Sequence, residues 1–322
     1  MNIREILKSN PLMRKIGKKY YIRSQFKDDA KNFKKYYCEE AERSGDYRYS
    51  IMLVVHSLEK GMCMPNPRPF GNDKVKKLLN MLESGNNKDC FEYNLGVSII
   101  FQWVDFYKRH GWEQTEIVQK SIQFLQDKEA TLKAGCQKYI SSLSPNSSAE
   151  FEKVVMTRHS VRDFQQRKLD MKDVELAKRC FVETPTACNR QMCRLLYISD
   201  ENVKKLLDKV IIGLPGFNKD TVQYFVVTYD LAAFAYSGER QQGMFNSGLC
   251  TMNFVNGLHA KGIGSCCLQW SNKRKDDISV RKALGIKQSE RIAVVVAAGY
   301  YLESNTIPCS VRRDINEVFQ VI

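Results

Sequence analysis

The sequence predicts an α+β protein in which a central mixed or antiparallel sheet is flanked by helices and preceded by an all-helical N-terminal domain. Three observations predict it. No strand pattern precedes residue 150, where apolar residues recur at helical spacing. The cluster Ser141-Ser-Leu-Ser-Pro-Asn-Ser-Ser148 is the clearest turn-rich stretch of the chain and sets domains at 1–145 and 150–322. Beyond it the period switches, and Leu195–Ile198, Val222–Thr228 and Ile292–Ala298 read as strands between helical stretches.

In chain order, residues 1 to about 40 carry eleven Lys and Arg against five Asp and Glu, with Ile3, Ile6, Leu7, Leu12, Met13 and Ile16 at helical spacing. Two readings stand: docking to an acidic partner or membrane surface, or a helical arm packed on the body with its lysines solvated. Tyr47–Met62 reads as an apolar helix ending near Gly61, before prolines 65, 67 and 69. On it His56, Glu59 and Lys60 share a face, suited to acid–base chemistry or to a buried histidine beside a surface ion pair. Lys74–Leu82 and Tyr93–Arg109 read as further helices, and the whole of Glu113–Ile140 as one or two more, completing the N-terminal half.

Past the boundary, Glu150–Arg158 is a short helix, and Asp170 caps the next one, Met171–Val182. Gly243–Ala260 is a long helix carrying the small residues Gly248, Gly257 and Ala260, and Ile292–Ala298 is a fully buried strand closed by Gly299.

Composition narrows the function classes. With 322 residues and 43% hydrophobic content, the chain can bury a real core. A net charge of +14 and a pI near 9.2 raise nucleic acid, anionic membrane surfaces or anionic small molecules as partners. A zinc knuckle, an aromatic-basic strand motif and a helix-turn-helix signal are all lacking, so nucleic acid is not expected. The longest apolar run, Ile292–Ala298, falls far short of the ~18 residues of a membrane span. Met1-Asn-Ile-Arg-Glu-Ile-Leu-Lys8 lacks an apolar signal core, and the eleven cysteines are odd in number and scattered, which together predict a reducing cytoplasm. No Cys-x-x-Cys pair is present and His56, His110, His159 and His259 are dispersed, so no metal site is expected. Adjacent Cys266 and Cys267 read as small buried hydrophobes.

The chemistry concentrates at Arg158-His-Ser-Val-Arg-Asp-Phe164. Two arginines four apart with a hydroxyl between them form an anion grip, since guanidinium forks match phosphate oxygens; a solvated basic face is the plainer reading. This stretch resembles the opening motif of the flavin-dependent nitroreductase family. Pro185-Thr-Ala-Cys-Asn-Arg-Gln191 is similar to the family's Pro-Ser-x-x-Asn-x-Gln loop, and Gly257-Leu-His-Ala-Lys-Gly-Ile-Gly-Ser-Cys266 to its helix ending in Gly-Leu-Gly-Ser. The resemblance covers about 150–322.

It implies a nitroreductase-like fold binding FMN, with NADH or NADPH as electron donor, a small electron-poor molecule as acceptor, and a homodimer in which the helix Gly243–Ala260 crosses the twofold axis. Carried over residue by residue, it assigns Arg158, Ser160 and Arg162, with His159 through its backbone, to the cofactor's phosphate and ribityl end or pyrimidine edge. Asn189 falls to the reactive ring edge with Gln191 beside it, and Arg312 or Arg313 forms a second phosphate clamp. No catalytic side chain is implied, because the flavin carries the chemistry. His56-Ser-Leu-Glu-Lys-Gly61 further resembles a stretch preceding nitroreductase-like domains in bacterial surface-polysaccharide gene products, which implies a biosynthetic setting.

Two departures favour an alternative, a catalytically silent nitroreductase-fold binding or scaffold protein with a basic N-terminal docking arm. Met192-Cys193 replaces the family's Pro-Trp, and Cys266-Cys-Leu-Gln-Trp270 replaces its glycine-containing loop. Trp270 itself reads either as core or as a ring stacked near the flavin.

Overall fold

The computed structural model describes residues 10–322 apart from positions 87 and 141, so Ile3, Ile6 and Leu7 lie outside the described residues. The chain divides into two compact units. One comprises Met1–Ile140, Thr186–Met192 and Asp230–Gly243, and the other Ser141–Pro185, Cys193–Tyr229 and Met244–Ile322.

The first unit is helical: α1 (Pro11–Tyr36), α2 (Cys38–Arg43), α3 (Arg48–Met62), α4 (Asn72–Ser84), α5 (Phe91–Arg109) and α6 (Glu116–Phe124). Asn10 starts α1, its side-chain oxygen accepting from the Leu12 and Met13 N–H groups ahead of Pro11 at the first helical position. The core lies between α3, α4 and α5, where Leu58, Val75, Leu78, Ile99 and Trp103 are fully buried. The Trp103 indole N–H and the Tyr107 hydroxyl both donate to the Phe70 carbonyl, at 3.0 and 2.9 Å, and tie the proline-rich loop to α5.

Two expectations for this unit are corrected. From Leu12 to Phe26 the apolar residues of α1 do not pack: Leu12 is 65% and Ile16 53% exposed, and Tyr20, Tyr21, Ile22 and Phe26 are exposed as well. Lysines and apolar residues alternate around the whole circumference of α1, so no single stripe can be buried, and the helix is anchored near its end by Phe33 stacked on Phe234 and Tyr37. Within Glu113–Ile140 only α6 is helical. After Leu125 the apolar period fails, and the irregular stretch is held by Leu132 and Ala134 against the core and by the Leu132 N–H donating to Ser98 Oγ.

The second unit is built around a four-stranded sheet in the order β1 (Cys193–Tyr197), β2 (Gln223–Asp230), β4 (Glu290–Tyr300), β3 (Ile263–Gln269). The β1–β2 and β3–β4 pairs are antiparallel, with Leu195 opposite Val227 and Cys266 opposite Ala297. Its helices are α7 (Ser147–Thr157), α8 (Glu175–Val182), α9 (Glu201–Val210), α10 (Gln242–Ala260), α11 (Arg274–Ala283) and α12 (Ile315–Val318).

Side chains alternate across the sheet. Val226, Val295 and Leu268 join the apolar layer that includes Leu207 of α9 and Val280 of α11, whereas Phe225, Val227, Val296 and Ala298 join the layer of Ala177 and Phe181 of α8 and Phe254 and Leu258 of α10. Burial on both faces is why the β4 sequence reads as an unbroken apolar run. The expected α+β class, with an antiparallel sheet between helices and a helical N-terminal region, is the observed one.

The local differences have local causes. α8 begins at Glu175 instead of Met171, because the Asp170 carboxylate accepts from the Lys172 N–H and the Asp173 N–H turns back to the Asp170 carbonyl. Gly262, in the left-handed region at φ 72°, lets the chain leave α10 for β3, a strand that its glycine- and cysteine-containing sequence does not announce. β4 runs through Gly299 to Tyr300 instead of closing at the glycine. Along β3, Cys266 is buried but Cys267 points to the other face and is exposed, correcting the expectation that both are buried.

Candidate functional site

In the second unit, α7 ends at Arg158, whose extended backbone feeds the segment 158–164 alongside β3. The Val161 N–H donates to the Ser265 carbonyl at 3.0 Å, and the Gln165 N–H donates to the Tyr300 carbonyl at 3.0 Å. The two apolar residues of the segment act as its anchors: Val161 and Phe164 are 1% and 2% exposed. Both sit over glycines, since a β-carbon on Gly264 would lie 3.3 Å from Val161 Cβ and one on Gly299 would lie 2.5 Å from Phe164 Cβ. With those side chains committed to the core, Arg158, His159 and Ser160 are half-buried and Arg162 is exposed.

The Arg158 Nε is buried and has no hydrogen-bond partner. A buried donor without an acceptor costs about 1–3 kcal/mol, so such a group signals an acceptor supplied from outside the chain. A guanidinium N–H directed at a phosphate or carbonyl oxygen satisfies that need, so the residues present fit an anionic, carbonyl-bearing cofactor such as FMN.

His259, inside the third motif, lies near this arginine. Thr157 Oγ donates to the Lys153 carbonyl at 2.7 Å, which leaves it an acceptor for the His259 Nε2–H at 2.8 Å. Nδ1 lies 2.8 Å from the Tyr301 hydroxyl, so hydrogen bonds hold the ring at both of its nitrogens. Burial holds the His259 pKa below its ordinary value, and the Arg158 guanidinium and the neighbouring His159 lower it further. Asn256, one turn earlier on α10, carries a second buried atom without a partner, its Oδ1.

Asn189 and Gln191 belong to the other unit, on the loop Thr186–Met192. Three non-glycine residues there adopt the left-handed region: Cys188 at φ 53°, Asn189 at 52° and Gln191 at 51°. Such conformations cost on the order of 1 kcal/mol each, less for asparagine, and persist where surrounding contacts over-determine them. The contacts come from Arg190, which is 2% exposed. Its Nε donates to the Ala187 carbonyl at 2.9 Å and its Nη1 to the Ala233 carbonyl at 2.5 Å, while both terminal nitrogens reach the Glu239 carboxylate at 3.1 and 2.6 Å. Glu239 also accepts from the Ala235 N–H at 2.8 Å. Burial pushes the Glu239 carboxyl up, but the Arg190 guanidinium and these amides outweigh it and hold the group below the usual carboxylate range.

Arg312 and Arg313 stand in the exposed C-terminal stretch, where Arg313 pairs with Glu317 at 3.5 Å. Trp270 packs against the core of its unit and its indole N–H donates to Asp277 at 2.9 Å, a core role. His56 lies 3.5 Å from the Glu59 carboxylate on α3, and Lys60 is exposed. Among the described residues, no group of three or more His, Cys, Asp or Glu could hold a metal ion, and no helix is long and apolar enough to cross a membrane. Reading the sequence singled out neither Arg190, His259 nor Tyr301 as functional. The first two lie inside quoted motifs, yet only the fold shows that Arg190 is buried and that His259 faces Arg158.

The nitroreductase family model matches residues 155–300, a span that opens three residues before Arg158 and closes with β4. A protein of Archaeoglobus fulgidus, provisionally named an NADH dehydrogenase/NAD(P)H nitroreductase, is 24% identical over 149 residues, 46% of this chain and 83% of its own. Among solved structures, a provisionally named nitroreductase of Desulfovibrio desulfuricans in complex with FMN is 18% identical, covering 56% of this chain and 98% of its own with a TM-score of 0.46. One from Bacillus subtilis is 17% identical, covering 55% and 100% with a TM-score of 0.48. The family match begins at residue 155 and covers less than half of the chain.

Proposed function

We propose that the chain is an FMN-dependent oxidoreductase of the nitroreductase type, using NADH or NADPH to reduce an electron-poor small molecule. The observation that carries the reading is the buried, unpartnered Arg158 Nε at the head of the family-matched span. Bound FMN supplies the two-electron chemistry, hydride transfer between nicotinamide and acceptor. The chain's own residues bind and orient. Arg158, Ser160 and Arg162 take the phosphate and ribityl end or the pyrimidine edge, with His159 contributing its backbone. The Asn189 amide serves the reactive ring edge with Gln191 beside it, and Arg312 or Arg313 adds a second cationic contact to the phosphate. The depressed pKa of His259 disfavours a second positive charge beside Arg158, leaving that guanidinium for the anion.

A homodimer belongs to the proposal. Met244, Phe245, Leu249 and Met252 expose an apolar stripe on α10, Phe245 at 62%, and an open groove of about 270 Å³ runs beside it between Gly248, Thr251, Cys267 and Val294. Gly248 has open space around it, whereas Gly257 is used within the chain, a β-carbon there falling 2.6 Å from the Ala177 Cα. Eleven free thiols support a reducing cytoplasm as the setting, and His56–Gly61 supports an acceptor in surface-sugar biosynthesis.

The test is the absorbance spectrum of the purified protein, which is expected to show flavin bands near ~450 nm, with FMN identified after release. A colourless protein that also binds no FMN on titration overturns the reading.

A further inference from the structure

The loop carrying Asn189 is tied to its unit by an ion pair whose arginine is buried and whose carboxylate is half-buried. Between Thr186 and Met192 three non-glycine residues take left-handed backbone conformations, and only one of them, Asn189, is of a type that favours this. Two backbone contacts help: the Gln191 N–H donates to Thr186 Oγ1 at 2.9 Å, and the Asn189 N–H donates to the Thr186 carbonyl at 2.9 Å. Both stay inside the loop, while at its end the Met192 carbonyl accepts from the Asp230 N–H at 3.1 Å.

Arg190 makes the side-chain attachment to the segment 233–239. Its guanidinium reaches back to Ala187 within the loop and out to Ala233 and Glu239, and lies 5.7 Å from the Phe234 ring centroid. A guanidinium this deeply buried is tolerated only because a carboxylate and two carbonyls accept its hydrogen bonds. Removing the carboxylate charge therefore leaves a buried cation seeking solvent, and the nearest way out is to unwind the strained residues on either side of it.

We propose that the Arg190–Glu239 ion pair is a positioning lock that holds Asn189 in its left-handed conformation, so that the Asn189 amide is set before its ligand arrives. That the ligand is FMN rests on the functional reading above; the lock itself rests on the loop geometry alone. Arg190 and Glu239 are positioning residues, acting through Asn189.

The experiment compares wild type, Glu239→Gln, Arg190→Lys, Asn189→Ala and the double variant Asn189→Ala/Glu239→Gln. Hydrogen–deuterium exchange of the peptide covering 186–192, without flavin, is expected to be faster in Glu239→Gln and Arg190→Lys, with the α3–α5 core peptides unchanged. Titration with FMN is expected to show weakening on the order of tenfold in Glu239→Gln, the loss of about one hydrogen bond, and no further weakening when that change is added to Asn189→Ala. Unchanged exchange of 186–192 in both lock variants overturns the proposal, as does a Glu239→Gln effect on FMN of equal size with and without Asn189. A wild-type protein that binds no FMN removes the flavin reading, and the exchange arm then decides the lock by itself. Should Glu239→Gln fail to fold, Arg190→Lys, which keeps the charge but loses the fork, provides the same comparison.

Discussion

Phe164 and Gly299 are fitted to each other: a β-carbon on Gly299 would lie 2.5 Å from the Phe164 Cβ and 2.6 Å from its Cγ. The motif that carries Arg158 and Ser160 is therefore seated on β4 by an aromatic ring that only a glycine admits. Gly299→Ala forces ring or strand to shift, and overpacking of this kind costs about 1–3 kcal/mol. A lower urea midpoint at unchanged slope is expected, with FMN binding weakened in the same variant because Arg158 moves with the segment. An unchanged midpoint shows that the contact is slack.

Arg158→Ala separates binding from folding. Its Nε has no partner within the chain, so the urea midpoint should stay close to that of wild type. Loss of a charge-assisted hydrogen bond is worth about 1.5–3 kcal/mol, so the FMN dissociation constant should rise roughly 10- to 100-fold. Fluorescence titration reads the second quantity, and an unaltered constant removes Arg158 from the site.

His259 makes stability depend on pH with a defined sign. Its folded-state pKa lies below the ordinary 6.5, through burial first and then the Arg158 guanidinium and the neighbouring His159, and its ring nitrogens face Thr157 and Tyr301. Below pH 6.5 the unfolded chain takes up a proton that the folded chain refuses. This contribution is fully present above pH 6.5 and is lost as the pH falls beneath it. Urea midpoints between pH 5 and 8 should therefore decline toward acid more steeply in wild type than in His259→Gln, and parallel curves refute the arrangement.

Phe245→Glu tests the exposed α10 stripe. A carboxylate placed in an apolar dimer contact opposes association, so sedimentation of the variant should give a monomer where wild type gives a dimer. A monomeric wild type removes the homodimer from the proposal.

Much of the fold was legible because its signals are local. The boundaries of α3, α5 and α10 follow from apolar periodicity and stop residues, and β2 and β4 from branched and aromatic runs. β3 was missed because Gly264, Ser265, Cys266 and Cys267 have weak strand preference; its conformation comes from pairing with β4. The length of α6 was overestimated because the residues after Leu125 touch the core without any period. Within the candidate site, the arginines and Asn189 were legible as residue types in a known order. Which of them has a free buried donor was not, since burial depends on the glycines of two strands more than 100 positions away.

The sequence by itself determined the α+β class, the helical first half, and the three ordered motifs that point to a flavin, because composition, periodicity and motif order are properties of neighbours along the chain. Only the tertiary structure decided that Phe164 needs Gly299, that His259 lies near Arg158 with its pKa depressed, and that Arg190 pairs with Glu239 beside a strained loop. Each of these depends on desolvation and on distances between residues far apart in the chain, and those exist only once the chain has folded.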